Sequence, residues 1–188
     1  MKRPSRASNE DITVRAATAA DEAGIARVHV DTWRTTYPGL MPDDFLAQLS
    51  YEGSERQWVD IAARAEAGTQ CLYVAVDDRD GIVGFANGGP ERTRDPEFPG
   101  ELYAIYVLAS HQGCGIGRHL VQAVADWMLR ASHTSMLVWV LTGNQIGRRA
   151  YEALGAHPCR ERRIPFRGLT IDEVGYGWSD ARTLLPKD

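Results

Sequence analysis

The sequence predicts an α/β (α+β) protein with a mixed, mostly antiparallel central sheet flanked by helices. Three observations predict this fold class. Two early strands are joined as a hairpin by the turn-forming residues 77–81, and later strands alternate with helical segments. The chain also has no internal repeat and no linker. We therefore expect one domain over residues 11–180, between a flexible N-terminal tail, 1–10, and a C-terminal tail, 181–188.

The first third of the chain predicts one strand followed by three helices. Residues 12–16 form a short strand-like run. In the first helix, Ile25, Val28, Thr32 and Trp33 share one face. Residue types that start and stop helices mark the limits of the three helices. They are Thr18 and Asp21 before the first, Pro38 and Gly39 after it, Pro42 and Asp43 before the second, and Ser54 and Gly68 at the two ends of the third.

The hairpin follows these helices. Residues 71–76 and 82–87 are rich in Val, Ile, Phe and other apolar residues, which favour strands. Residues 77–81, Asp-Asp-Arg-Asp-Gly, supply the turn between them. Residues 88–100 combine Pro, Gly and charged residues, so an exposed loop is expected before the next strand.

A strand, a glycine-rich loop and a helix come next and form the most informative segment. Residues 102–108 are apolar and aromatic, and Ile116–Arg130 has helical periodicity. Three alternating glycines, Gly113, Gly115 and Gly117, lie between them. Glycine allows backbone N–H groups to approach an anion, and a helix N-terminus adds unpaired donors. The segment therefore predicts a phosphate-binding site.

A second strand and helix follow. Residues 137–141 predict a strand, and Asn144 is a favourable N-cap for a helix. Ile146, Ala150 and Leu154 form one stripe along that helix, and Gly155 ends it. Two final strands are expected near residues 159–164 and 171–178.

The spacing of the glycines excludes two common phosphate motifs. The dinucleotide fingerprint needs a third glycine where Arg118 or Leu120 stands, and the P-loop needs Gly-Lys-Ser/Thr. The run Gln112-Gly-Cys-Gly-Ile-Gly117 instead resembles the acetyl-CoA signature of the GNAT superfamily of N-acetyltransferases. Asn144 and Tyr151, seven residues apart, also resemble that family's spacing at the start of a later helix. The resemblance covers roughly residues 12 to 178.

The resemblance implies a GNAT-like fold and acetyl-CoA as cosubstrate, with no metal. It implies direct transfer of the acetyl group, in a ternary complex, to a primary amine of a small molecule. A protein or peptide amine is the alternative acceptor, and a non-catalytic acyl-CoA sensor is a third hypothesis. The residues expected to bind the cofactor are Ile105, Tyr106 and Val107 of the strand, Gln112, Gly113, Cys114, Gly115, Ile116, Gly117 and Arg118 of the loop, and Asn144.

Two residues are the candidate proton-transfer groups. The resemblance gives Tyr151 the role of acid for the departing thiolate. Glu101 is the candidate base, because it opens the cofactor strand and would share a face with Ile105 and Val107 if the strand alternates regularly. Glu173 is the second choice, and His111, expected to face solvent, is the third. Ribosomal-protein acetyltransferases of the superfamily carry a catalytic Glu where this chain has Trp139, which weakens the peptide alternative.

The acceptor site is expected on the first helix and the loop after it. Residues 31–46 resemble the substrate-side helix–loop–helix of many family members. Trp33 and Tyr37 offer an aromatic face and Asp31 a carboxylate, a combination that suits a cationic amine. Packing of Trp33 in the core is the alternative interpretation.

Composition limits the remaining function classes. The 188 residues carry a net charge of −4, which argues against a nucleic-acid partner. No apolar run reaches membrane length, so we expect no membrane partner and a cytoplasmic location. Cys71, Cys114 and Cys159 lack metal-ligand spacing. A homodimer is possible, since dimers are common in the family.

Overall fold

A computed structural model describes residues 12–186, and within them seven strands form one sheet. The predicted N-terminal tail, residues 1–10, lies outside the described residues. The strands are β1 (Ile12–Ala16), β2 (Cys71–Asp77), β3 (Gly81–Pro90), β4 (Gly100–Val107), β5 (Met136–Leu141), β6 (His157–Phe166) and β7 (Leu169–Trp178). Their order is β1-β2-β3-β4-β5-β7-β6, and every neighbouring pair is antiparallel except β4 and β5.

Helices cover both faces of the sheet, which confirms the predicted fold class. The α-helices are α1 (Glu22–Thr36), α2 (Asp43–Gln48), α3 (Tyr51–Glu66), α4 (Ile116–Arg130) and α5 (Gln145–Ala153). Apolar side chains of α1 and α3 pack with β2 and β3 in one core cluster. Those of α4 form a second cluster on the other face, with β3, β4, β5 and β7.

The predicted bounds of α4 match the structure, because they were read from residues within the helix itself. Its apolar positions recur with helical period, and six of them are buried. The predicted C-terminal tail differs from the structure. Residues Ala181–Leu184 form a short 3-10 helix, in which Ala181 and Leu184 are buried in the α4 cluster. The packed domain therefore continues beyond residue 180, because two apolar side chains there complete the core.

A β-bulge interrupts β4. Asn87 of β3 lies opposite Ala104 and Gly88 lies opposite Leu102, so Tyr103 is an extra residue in the strand. Leu102 consequently packs in the same cluster as Ile105 and Val107. The expected regular alternation from Glu101 is therefore wrong, and Glu101 points away from the α4 face.

The pairing between β4 and β5 is short. These strands are parallel neighbours only where Gly100, Glu101 and Leu102 face Met136, Leu137 and Val138. Beyond these residues β4 stays paired with β3, and β5 stays paired with β7. The sheet therefore opens in its middle, and the opening lies between helices α4 and α5 on one face and α1 on the other.

Helix α5 is held to the sheet at few points. The Tyr176 hydroxyl of β7 donates to Glu152 Oε1 at 2.7 Å and accepts from Arg148 Nε at 3.1 Å. Trp178 Nε1 donates to the carbonyl of Leu154 at 2.9 Å. These bonds anchor the helix that carries Tyr151, whose ring is buried against the rings of both anchoring residues.

Tyr176→Phe should destabilise the fold, because it deletes the buried hydroxyl that bonds α5. One net hydrogen bond contributes about 1 kcal/mol, which lowers Tm by about 2–4 °C for a chain of this size. Tyr51→Phe is the control, since its hydroxyl bonds Asp31 at the exposed surface. Thermal denaturation of both variants checks the prediction, and an equal shift in the two would contradict it.

Candidate active site

A cleft of about 870 Å³ occupies the opening between β4 and β5. Its walls come from both strands, the glycine loop, α1, α5 and the β6–β7 hairpin. The volume lies within the range of small-molecule sites. Of the residues predicted for the site, the cleft is lined by Trp33, Tyr37, Ile105, Tyr106, Val107, Gln112, Gly113, Gly115, Gly117, Arg118, Asn144 and Tyr151.

The glycine loop forms one end of the cleft. Gly113 and Gly115 have φ angles of 78° and 87°, which side-chain-bearing residues rarely adopt. Gly115 is also the N-cap of α4, so the first amides of that helix point toward the cleft end. Arg118 lines the same end, and Gln112 Nε2 donates to the carbonyl of Val107 at 2.9 Å. The arrangement suits a phosphate group.

Two predicted cofactor residues of this loop do not line the cleft. The Ile116 side chain is buried in the α4 cluster, so only its backbone is near the loop surface. Cys114 Sγ donates to the carbonyl of His111 at 2.8 Å and packs against the same cluster. Any contribution of these two residues to a phosphate site must therefore come from backbone groups.

His111 does not face solvent, contrary to the sequence-based expectation. Its side chain is largely buried but lines the cleft, and Nε2 lies 3.4 Å from Asp80 Oδ2 and 3.8 Å from Asp77 Oδ2. Ser110 Oγ lies 2.8 Å from Nδ1. The ring therefore links the β2–β3 turn to the start of the glycine loop.

The apolar stripe predicted on α5 faces the cleft. Ile146 is 70% exposed in spite of its apolar side chain, and it lines the cleft together with Ala150 and Leu154. Val138 and Val140 of β5 line the cleft nearby. This half of the cleft, between α4 and α5, therefore offers an apolar channel that leads from the glycine loop to the opening between the strands.

Three phenols meet where the strands separate. Tyr37, Tyr106 and Tyr151 all line the cleft and interact electrostatically with one another. Burial raises the pKa of each phenol, so all three are protonated donors at neutral pH. Asn144 lines the cleft beside them, while its Oδ1 accepts from the amide of Gly147 at 3.0 Å as the N-cap of α5.

The other half of the cleft, toward α1, is rich in aromatic rings. Trp33 packs against Tyr37 with ring centroids 4.6 Å apart, and both line the cleft. Trp139 lines it from β5. Asp31, predicted in this group, is not among the lining residues. It is bonded instead to the Tyr51 hydroxyl at 2.7 Å, because its position on α1 faces α3.

Glu101 lies behind the wall of the cleft. Its side chain is 1% exposed, and it binds Arg92 through both oxygens: Nε donates to Oε2 at 3.0 Å and Nη2 donates to Oε1. The Arg92 backbone amide also donates to Oε2 at 3.2 Å. The structure therefore brings Arg92 to the cleft and leaves Glu101, the first-choice base, outside the lining.

Glu173 of β7 does line the cleft. Arg162 Nε donates to its Oε2 at 2.6 Å, and the Arg162 guanidinium lies 4.0 Å from the centre of the Trp139 ring. Within the described part of the chain, Oε1 of Glu173 has no hydrogen-bond donor. Sequence reasoning singled out neither Arg92 nor Arg162. For Arg162, the available local signal was the alternation of faces along the predicted strand, which separates it from its charged neighbours Glu161 and Arg163.

The aromatic half of the cleft is bridged at its outer end. Phe166 of β6 lines the cleft and contacts Phe45 of α2, with ring centroids 4.9 Å apart. Arg167, in the β6–β7 turn, donates to Gln48 Oε1 at 2.9 Å and lies over the Phe45 ring. Helix α2 and the hairpin therefore close together over this side.

Within residues 12–186, no three His, Cys, Asp or Glu side chains are grouped so that they could hold a metal ion. The helices in the same range are too short or too polar for any of them to cross a membrane.

The sequence and the fold resemble those of known acetyltransferases. The family model described as "Acetyltransferase (GNAT) family" matches residues 24–156. The uncharacterized N-acetyltransferase YuaI of Bacillus subtilis (strain 168) is 38% identical over 173 residues, which cover 92% of this chain and 96% of the relative.

Solved structures agree with the fold. The PaiA N-acetyltransferase of Thermoplasma acidophilum, in complex with coenzyme A, matches with a TM-score of 0.69 at 17% identity and covers 86% of this chain and 97% of its own. The structure of yncA from Salmonella typhimurium, with its cofactor acetyl-CoA, matches with a TM-score of 0.64 at 18% identity and covers 89% of this chain and 93% of its own. At these identities the likeness concerns the fold alone.

Proposed function

The chain belongs to the GNAT family of acetyltransferases, and we propose that it transfers an acetyl group from acetyl-CoA directly to the primary amine of a small molecule. One observation carries the proposal. The cleft extends from the glycine loop, whose Gly113 and Gly115 have positive φ angles, to a half lined by aromatic rings and the Glu173 carboxylate. The two ends are joined through the opening between β4 and β5. Two substrates that enter from opposite sides would meet at the phenols.

The glycine-loop end fits the cosubstrate. Backbone amides at the start of α4 and the Arg118 side chain would hold the pyrophosphate. The apolar channel along Ile146 and Ala150 would take the extended arm, and backbone amides of β4 that face the gap would bind its polar groups. When bound, acetyl-CoA supplies the activated acetyl thioester.

Tyr151 is the proposed acid. Burial keeps its phenol protonated, so it can donate a proton to the departing thiolate. Tyr37 and Tyr106 lie close to it and are protonated for the same reason, so they would support it as further donors at the reaction centre. Asn144 fixes the start of α5 and with it the position of Tyr151.

Glu173 is the proposed base. An alkylammonium group must lose a proton before it attacks, because its pKa is about 10.4, as for lysine. Glu173 lines the cleft with one oxygen bonded to Arg162, and the other is available to an amine or an ordered water. Glu101 is less suited to this role, because Arg92 occupies both of its oxygens.

A small acceptor is favoured over a protein chain. The contacts of Phe45 with Phe166 and of Gln48 with Arg167 bridge the acceptor side, whereas a peptide needs an open groove. A non-catalytic sensor would not need a carboxylate and a protonated phenol in the same cleft. The cytoplasm, where acetyl-CoA is found, stays the predicted location. Release of CoA with a panel of small amines tests the proposal directly.

Acetyl-CoA should raise the Tm of this protein, because it binds the folded chain. At about 100 times Kd, the stabilisation is about 2.7 kcal/mol. Gly115→Ala should reduce the shift, since a Cβ strains a φ of 87° and displaces the loop amides. Gly68→Ala is the control, because it places the same strain, at a φ of 73°, outside the cleft. Equal ligand-induced shifts in both variants, or no shift in the parent protein, would contradict the assignment.

Tyr151→Phe should lower kcat with little change in acetyl-CoA affinity, because it keeps the ring and removes the acid. Loss of a general acid typically costs about 10²–10⁴-fold in rate. Tyr37→Phe is the matched comparison and should cost less. Steady-state kinetics, with chemistry shown to limit the rate, measures both. Turnover of the Tyr151 variant within about twofold of the parent would leave Tyr151 a packing residue.

Glu173→Gln should alter the acidic limb of the pH profile of kcat/KM, because the amide cannot accept the proton. Glu101→Gln tests the sequence-based alternative on the same profile and should leave that limb in place. The two profiles, measured with one acceptor amine, separate the roles. A limb that disappears with Glu101→Gln and persists with Glu173→Gln would reverse the assignment.

A further inference from the structure

The loop that carries Arg92 is built from buried carboxylates. Glu91 is 7% exposed and accepts from the amides of Thr93 and Asp95, at 2.8 Å and 2.7 Å. Arg160 of β6 then binds Asp95, with Nε 2.9 Å from Oδ2. The segment 91–95 is therefore fixed both within itself and to the far side of the sheet.

Arg92 itself is held on one edge and one face. Glu101 binds the edge formed by Nε and Nη2, and the guanidinium lies 4.9 Å from the centre of the Tyr103 ring. Within the described residues, Nη1 has no hydrogen-bond partner. Arginine presents two pairs of donors in a planar fork, so the edge that includes Nη1 is left for a second planar anion.

The side chain that carries this edge is part of the cleft. Arg92 and Tyr103 both line the cleft, whereas Glu101 lies behind them. Arg92, Tyr37 and Glu173 all line this cleft, and the negative charge of Glu173 contributes to the raised pKa of Arg92 and of Tyr37. A molecule whose amine lies at Glu173 therefore shares the cleft with a guanidinium that Glu101 holds in place.

We propose that the acceptor is a free amino acid, whose carboxylate binds the open edge of Arg92 while its amine lies at Glu173. This inference rests on the proposed acetyltransferase function. Trp33, Trp139, Ile164 and Phe166 line the same half, so the side chain of the amino acid is apolar.

Charge balance supports a zwitterion. Arg92 is paired with Glu101 and Arg162 with Glu173, so these four side chains sum to zero. An amino acid adds one charge of each sign and keeps that sum, whereas a bare ammonium ion adds an unbalanced positive charge. In a partly desolvated cleft, unpaired charge is costly.

The test compares kcat/KM for apolar amino acids with that for their amides and their decarboxylated amines. L-phenylalanine, L-phenylalaninamide and phenethylamine form one set, and the methionine and leucine sets extend it. The parent protein should prefer each amino acid by about tenfold or more, the effect typical of hydrogen bonds to a charged group. The parent protein and its variants are assayed with the same amines. Differences in amine basicity therefore cancel when the preference of one protein is compared with that of another.

The informative variant is Arg92→Gln combined with Glu101→Gln. It removes the guanidinium without leaving a buried carboxylate unpaired. The ratio of kcat/KM for the amino acid to kcat/KM for its amide or amine should therefore fall toward one. Arg163→Gln is the control, because that arginine is next to Arg162 on the β6–β7 hairpin, pairs with Asp172 and does not line the cleft. The control should keep the full preference.

The outcomes separate the two proposals. If amides and bare amines react as well as amino acids, or the double variant keeps the preference, the amino-acid inference is overturned and the acetyltransferase function stands. If CoA is released in the presence of other amines but not of amino acids, the inference is again overturned and the acetyltransferase function stands. Failure of every small amine to release CoA, in a protein that binds acetyl-CoA, overturns the small-molecule function and the inference with it.

Discussion

The separation of β4 from β5 is the constraint on which the rest of the structure depends. Both are interior strands, yet they pair over three residues each before they part. Backbone groups that face the gap lose their sheet partners, and buried groups of this kind need other partners. The sheet survives because β4 keeps its ladder with β3 and β5 keeps its ladder with β7. The result is an opening in the middle of a stable sheet, where the backbone of β4 is no longer bonded to that of β5.

An opening in the middle of a sheet, unlike one at its edge, connects two faces of different chemistry. On the α4 face, glycine backbone, Arg118 and an apolar stripe suit a long phosphorylated ligand. On the α1 face, aromatic rings with Arg92 and Glu173 suit a small polar one. The bulge at Tyr103 contributes to this division, because it returns Ile105 and Val107 to the α4 face. This division supports the proposed direct transfer between two bound substrates.

Local signals made much of the fold predictable from sequence. The glycine loop, the N-cap Asn144 and the period of α4 each depend on residues within one element, and the structure places them as expected. The face of Glu101 was not predictable in this way, because the bulge at Tyr103 exists only in pairing with β3. Arg92 and Arg162 were missed for a related reason. Each arginine is held at the cleft by an ion pair with a carboxylate on the next strand of the chain. No spacing along the chain encodes that pairing.

The ion pair between Arg92 and Glu101 is better explained by the orientation that it gives Arg92 than by a contribution to folding stability. Desolvation of a buried carboxylate opposes its attraction to a guanidinium, so such pairs often add little to folding free energy. Arg92 is itself more than half exposed, which weakens the attraction further. What the pair does provide is a fixed orientation, since one edge of the guanidinium is held by Glu101 and one face by Tyr103. A side chain with so many rotamers loses less entropy on binding a ligand when its own protein has already ordered it.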